Sequence, residues 1–306
     1  MAGDAMQALH EGLVGHGLIV PTGVPGVFGR GERFEQVMDA LTTFITRSAR
    51  GDGAVVVNHP PVMSRAVLQK VRYLDGFPHL CGSVHSFMGN GLAALRFAEA
   101  AAAGEPWAPH LEQTEVVLSP SACYGVYPMF TGTLPDSGRL VTIYNWVFRH
   151  EPSPEPTRLM SFRMREYVKL GDPGAILAWR EMWLARGHQM LRQLGLPVTE
   201  EVASDPFFGR GGKVMAASQR DQKLKFELVV PVWSTDQPTA LCSFNYHQDK
   251  FGQAFDIRLP DGRVAHSACV GFGMERLAMA LFRHHGFVPS GWPADLQALL
   301  WPGAPA

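Results

Sequence analysis

One run near the C-terminal end constrains this chain more than any other: AHSACVGFGMERL, residues 265–277. Its first half reads as a strand, and Gly271 and Gly273 let other backbone or a ligand approach closely. Its second half reads as the start of a helix with Arg276 in its first turns, where a guanidinium can hold a phosphate in planar, two-pronged fashion. Cys269 lies in the same run, so one short segment can carry an anion clamp and a soft metal ligand.

The rest of the chain can support such a site. Its 306 residues are 46% hydrophobic and 18% charged, enough for a substantial core. A formal net charge of −1 argues against a large nucleic-acid footprint, which needs clustered Lys and Arg. Cys81, Cys123, Cys242 and Cys269 are widely spaced with no CxxC pair, which fits a reducing compartment better than a disulfide framework. No stretch approaches about 18 consecutive apolar residues, and no basic segment precedes an apolar one at the N-terminus, so the expectation is a cytoplasmic protein without membrane insertion.

Residues 1–30, rich in Gly and Pro, read as an N-terminal arm with little regular structure, and 31–306 as one domain. From Glu32, apolar residues recur at three and four, the spacing of one buried helix face, ending near Gly51. Residues 54–58 read as a strand stopped by His59-Pro60-Pro61. Helices are expected over 91–103 and 175–194, and strands over 114–118, 139–148, 161–170, 224–233, 239–246 and 255–259. Consecutive hairpins between long helices indicate an α+β fold with a mainly antiparallel sheet.

Two further runs bear on the site. Strand 139–148 ends in Phe148-Arg149-His150-Glu151, and a Pro-rich loop through Arg158 leads to Phe162-Arg163-Met164-Arg165-Glu166-Tyr167. On residues alone, a cross-strand ion pair is the alternative for Arg149 and Glu151, and for either cysteine taken singly a small buried apolar side chain is the plainer reading. The three runs together resemble motifs 2 and 3 of the class II aminoacyl-tRNA synthetases, and VVVNHPPVMSRAVLQKVRYLDGFPHL (55–80) resembles motif 1 of the seryl type, which forms a dimer interface. The resemblance implies that Arg149 holds the α-phosphate and the substrate carboxylate, Glu151 the adenine amino group and Arg276 the γ-phosphate. It also implies that Tyr167 stacks on adenine and Arg158 reaches the outer phosphates.

Cys123 precedes motif 2, Glu166 lies on its return strand and Cys269 opens motif 3. This trio resembles the Cys-Glu-Cys site of the methanogenic-type seryl-tRNA synthetases, and implies one Zn²⁺ per subunit with an open position for the amino group of an amino acid. His247 and His266 read as hydrogen-bonded pocket residues rather than ligands. The Glu-x-Ser-Ser run that helps those enzymes hold Mg²⁺ reads Pro-Thr-Ala-Leu-Cys-Ser-Phe-Asn here, residues 238–245, although Mg·ATP remains the expected substrate form.

Residues 1–30 before the first expected helix and 286–306 after the motif 3 helix leave no room for a tRNA-reading domain. A compact core with this signature resembles the amino acid:[carrier protein] ligases. Membership implies that glycine or alanine is activated with ATP as an aminoacyl adenylate and passed to the phosphopantetheine thiol of an acidic carrier protein, by a homodimer, without tRNA. A basic strip at Arg210, Lys213 and Arg220, within a stretch at about 205–224 where an insertion can add a helix, is a candidate carrier surface; a solvated helix face is the plainer reading. The rival functions are a truncated seryl-type tRNA synthetase and a non-catalytic regulatory paralogue.

Overall fold

The computed structural model describes residues 2–303. Its N-terminal part is helix α1 (Ala2–Gly15), a hairpin of β1 (Ile19–Pro21) and β2 (Phe28–Arg30), and helix α2 (Glu32–Ser48). This corrects the loose arm expected over 1–30: Leu9, Leu13, Leu18 and Ile19 are buried in the same core as α2. Of the glycines that suggest an arm, Gly23 and Gly26 serve the turn of the hairpin with positive φ, whereas Gly3, Gly12 and Gly15 lie within α1.

The middle of the chain carries β3 (Val55–Val57), β4 (Val62–Ser64), α3 (Arg65–Lys70), α4 (Tyr73–Gly76), β5 (Ser83–Ser86), α5 (Gly91–Ala102) and β6 (Glu112–Leu118). Then come β7 (Gly132–Thr133), β8 (Arg139–Phe148), β9 (Ser161–Gly171) and α6 (Pro173–Gln193). The last third adds β10 (Thr199–Val202), α7 (Gly209–Asp221), β11 (Lys225–Val230), β12 (Thr239–Gln248), α8 (Lys250–Phe255), β13 (Ile257–Arg258), β14 (His266–Gly273), α9 (Met274–His285) and α10 (Ala294–Leu300). The strand expected at 255–259 is thus the end of a helix and then two paired residues. Phe251 and Phe255, four apart and both buried, set the helical period there.

Seven strands form the central sheet in the order β10-β11-β12-β14-β9-β8-β3, antiparallel throughout except where β3 joins β8. Because side chains alternate along each strand, the sheet has two distinct faces. Tyr167, Leu228, Phe244, Val270 and Phe272 point into a core with α2, α6 and α9. Helix α6 meets them with Ile176, Trp179, Trp183, Leu184 and Leu191 at helical spacing, and approaches so closely at Gly187 that a Cβ there would lie 2.7 Å from Phe244 Cζ. Val168 and Cys269 face the other way, toward α3, α8 and the turns around residues 123–130. Among the described residues no helix is long and apolar enough to cross a membrane.

Candidate active site

That second face of the sheet floors a cavity of about 620 Å³. Register places its floor residues in rows: Glu166 lies opposite Gly271, Gly271 opposite Ser243, and Ser243 opposite Glu227. The next row runs from Cys269 through Asn245 to Lys225. Adjacent strands therefore set the spacing of every group on the floor.

At one end the structure brings Cys123, Glu166 and Cys269 together, with ligand atoms all within 4.8 Å of one another and all three residues buried. Glu166 Oε1 accepts from the Ala122 backbone N–H at 3.1 Å and from the Ser121 hydroxyl at 3.4 Å. Its Oε2 is buried and has no hydrogen-bond partner among the described residues. A buried carboxylate oxygen left bare beside two thiols is costly unless a cation completes it, so the trio fits a metal ion. Burial and the neighbouring Cys269 push the Glu166 carboxyl up to about 8. The hydrogen bond shared by the two cysteines, with burial and the Glu166 charge, raises the Cys123 thiol. Cys269 moves the other way through that same bond, helped by His247 and Asn245.

The surroundings of the trio are built by a bulge. Between Tyr246 and Gln248 the β12–β14 register slips, with Gln248 at a φ of 55°, and His247 is set beside the cluster. Its Nε2 lies 3.5 Å from Cys269 Sγ, and its Nδ1 lies 3.1 Å from Ser267 Oγ and 3.3 Å from the Tyr127 hydroxyl. Asn245 donates to Cys269 Sγ at 3.4 Å. His266 instead meets the Tyr246 hydroxyl at 2.5 Å, and Cys242 packs in the core behind the sheet.

Arginines line the same cavity. Arg149 Nε donates to the Pro120 carbonyl at 3.0 Å, and its guanidinium sits 5.6 Å from the centre of the Phe162 ring. Arg276, in the first turn of α9, donates from Nε to the Thr157 carbonyl at 2.9 Å and from a terminal nitrogen to the Ala240 carbonyl at 3.2 Å. Burial, with the Arg158 and Arg149 charges, lowers the Arg276 pKa, as expected where cations converge on space for an anion. Arg158 and Glu151 also line the cavity, paired with each other at 2.7 Å.

Tyr167 is not in this cavity. It is 2% exposed and packs behind the sheet with its ring 4.6 Å from that of Trp183. The reason is strand parity: Phe162, Met164 and Glu166 share the cavity face of β9, and an odd-numbered residue cannot join them. Phe162 is the β9 aromatic that lines the cavity, beside Arg149, and its even spacing from Glu166 is the sequence signal that points to it.

The outer wall is α7, the helix within the stretch at 205–224, which presents Val214, Met215, Ser218 and Gln219 to the cavity. It is fastened at its base: Lys225 Nζ reaches Asp205 at 2.7 Å and Glu227 at 3.0 Å, and Gln219 donates to Asp205 at 2.9 Å. Phe207 stacks on Phe77 with ring centres 5.0 Å apart. Arg210, Lys213 and Arg220 lie on the solvent side of this wall, Arg220 donating to Ser204 at 2.7 Å.

This sheet and cavity define a class II aminoacyl-tRNA synthetase-like core. The fold matches the crystal structure of Methanopyrus kandleri SerRS in complex with Aquifex aeolicus tRNASec, with a TM-score of 0.80, 20% identity, and coverage of 98% of this chain and 60% of that one. The type-2 serine–tRNA ligase of Methanopyrus kandleri is 28% identical over 196 residues, 59% of this chain and 37% of the relative. No protein-family model matches the chain. Amino acid–[acyl-carrier-protein] ligase 1 of Bradyrhizobium diazoefficiens is 44% identical over 284 residues, 91% of this chain and 86% of the relative, and ligase 2 of the same organism 43% over 283 residues, 91% and 84%. The chain belongs to the amino acid–[acyl-carrier-protein] ligase family and is an enzyme of the ligase class.

Proposed function

We propose that this enzyme activates glycine or alanine with ATP as an aminoacyl adenylate and transfers it to the phosphopantetheine thiol of an acidic carrier protein. One observation carries the reading: Cys123, Glu166 and Cys269 line the same cavity as Arg149 and Arg276, which supports a site that holds an amine and phosphates together. Relatives named as carrier-protein ligases supply the acceptor.

Zn²⁺ suits the two thiolates and one carboxylate, and when bound it would supply a Lewis-acidic position for a free amino group. The chain's own residues account for the rest. Arg149 neutralises the substrate carboxylate and the α-phosphate, and its bond to Pro120 keeps the guanidinium from reorganising as charge builds. A carboxylate oxygen bonds to the α-phosphorus and pyrophosphate leaves, held by Arg276 with Arg158 reaching the outer phosphates. Glu151 accepts from the adenine amino group, and Phe162 takes the ring-stacking place expected of Tyr167. The carrier thiol, giving up its proton, then bonds to the activated carbonyl carbon and AMP departs. ATP brings Mg²⁺ with it.

The carrier reads the outer wall. Arg210, Lys213 and Arg220 present positive charge beside the cavity mouth, which would steer an acidic partner. Val55 and Val56, 62% and 66% exposed on the edge strand β3, fit the homodimer face that motif 1 supplies in the seryl type. Four free cysteines suit a reducing cytoplasm.

An ATP–pyrophosphate exchange panel on zinc-loaded protein tests the reading, each active amino acid then being offered tRNA or a phosphopantetheinylated carrier. Exchange with glycine or alanine and transfer to the carrier supports it. Exchange with serine and charging of tRNA would replace it with a synthetase, and no exchange with any amino acid would favour a regulatory paralogue. Charge reversal at Arg210, Lys213 and Arg220 that left transfer unchanged would remove α7 as the carrier surface.

A further inference from the structure

Helix α9 opens on two charged residues that point opposite ways. Arg276 enters the cavity, whereas Glu275, 1% exposed, faces back toward α2. Its Oε2 accepts the Arg163 backbone N–H at 2.7 Å and its Oε1 the Arg163 Nε at 2.9 Å. Arg163 gives both terminal nitrogens to Glu35, at 2.6 and 2.8 Å, and Arg30 from the N-terminal hairpin approaches Glu275 Oε1 at 3.4 Å. The Trp146 ring lies 5.0 Å from the Arg30 guanidinium and 4.9 Å from that of Arg163.

The charges balance, two of each sign, and Arg30 also donates to the Phe28 and Ser161 carbonyls at 2.7 and 3.1 Å. Such a neutral, interlinked cluster holds one geometry, because removing any member leaves a charge without its partner. The first turn of α9 needs that constraint: its N-cap is Gly273, which offers no side-chain cap. A carboxylate in that turn also complements the positive end of the helix. Successive helix residues are about 100° apart, so fixing Glu275 fixes the direction in which Arg276 leaves.

We propose that Glu275, locked by Arg163, Glu35 and Arg30, is the positioning residue that aims Arg276, and that the N-terminal hairpin is thereby part of the nucleotide site. The proposal rests on the reading of Arg276 as a phosphate clamp. A second line of contacts runs the same way. The Met160 backbone N–H donates to the Gly26 carbonyl at 2.8 Å, and the Arg149 N–H to the Met160 carbonyl at 2.9 Å. The hairpin turn, the loop between β8 and β9 and both arginines form one bonded unit.

Glu275→Gln keeps the size and removes the charge. Binding of Mg·ATP is measured by calorimetry beside the KM for the amino acid, zinc content and thermal unfolding. The expected result is an ATP Kd raised about tenfold with zinc content and amino-acid KM within about twofold of wild type. Glu35→Gln, at a half-exposed end of the network, keeps the test open if the first variant fails to fold, and is expected to raise the ATP Kd about threefold. Folded variants with wild-type ATP affinity overturn the positioning role and leave the cavity reading standing. A wild-type protein that binds no ATP overturns the cavity reading and this proposal with it.

Discussion

Glu166 and Gly271 face one another across the β9–β14 ladder, and Gly271 gives the cavity floor backbone alone between the thiol cluster and the arginines. A Cβ at 271 would lie 3.1 Å from Met164 Cε, 3.4 Å from Ser243 Oγ and 3.7 Å from Glu166 Cγ, in space a small substrate needs. Gly271→Ala is therefore expected to raise the KM for the amino acid about tenfold and leave ATP binding unchanged. Steady-state kinetics on both substrates decide it. A shift confined to ATP would move the amino acid off this part of the floor.

The two aromatics of β9 give opposite expectations. Phe162→Ala should weaken ATP binding about tenfold, since an apolar wall of the cavity beside Arg149 is lost. Tyr167→Phe, behind the sheet, should bind ATP as wild type does. Calorimetric titration of both variants separates the two faces, and the reverse pattern would reject the parity argument.

Cys123→Ser and Cys269→Ser each remove one soft donor from the trio. Elemental analysis of the purified variants is expected to find less than about a tenth of the wild-type zinc, while ATP still binds at the arginine end. Full zinc occupancy in both would place the ion elsewhere.

The fastening of α7 carries a pH signature. Burial raises the Asp205 carboxyl, but the Lys225 ammonium and hydrogen bonds from Lys225 and Gln219 outweigh it and hold the group at about 2, below the ordinary 3.8. A depressed acid stabilises the fold above its ordinary pKa, and that contribution disappears as pH falls toward about 2. Asp205→Asn should cost about 1–2 kcal/mol at neutral pH, reduced from a fully buried pair because Asp205 is partly exposed. Urea unfolding at neutral pH and near pH 3 should show the gap narrowing on the acid side. A gap of equal size at both would assign the loss to something other than the ion pair.

Much of the fold and site is legible in order along the chain because it is local. Alternation outlines β8, β9 and β12, helical spacing outlines α2 and α6, and the order of the motifs puts Cys123, Glu166 and Cys269 in one place. Tyr167 is misplaced by resemblance because resemblance aligns residues by position, whereas a strand sorts them by parity, and one step moves a side chain to the opposite face. The N-terminal segment misleads because its Gly and Pro residues punctuate a turn, while the apolar side chains that bury it are few. Arg30, Glu35, Arg163 and Glu275 come together from four separate elements, and no local pattern announces a contact between residues 112 apart.

The floor of the cavity belongs to the ladder, but its outer wall is a single helix spliced between β10 and β11 and fastened by side-chain contacts, among them the Lys225–Asp205 ion pair, the Gln219–Asp205 hydrogen bond and the Phe207–Phe77 stack. The two parts are mechanically separable. Reshaping α7 leaves the thiols and guanidiniums in place, because none of them is carried by α7: Glu166 and Cys269 stand on sheet strands, Cys123, Arg149 and Arg158 on turns and loops beside the sheet, and Arg276 on α9. A chain built this way can trade one macromolecular client for another while its reaction coordinate stays where the sheet put it.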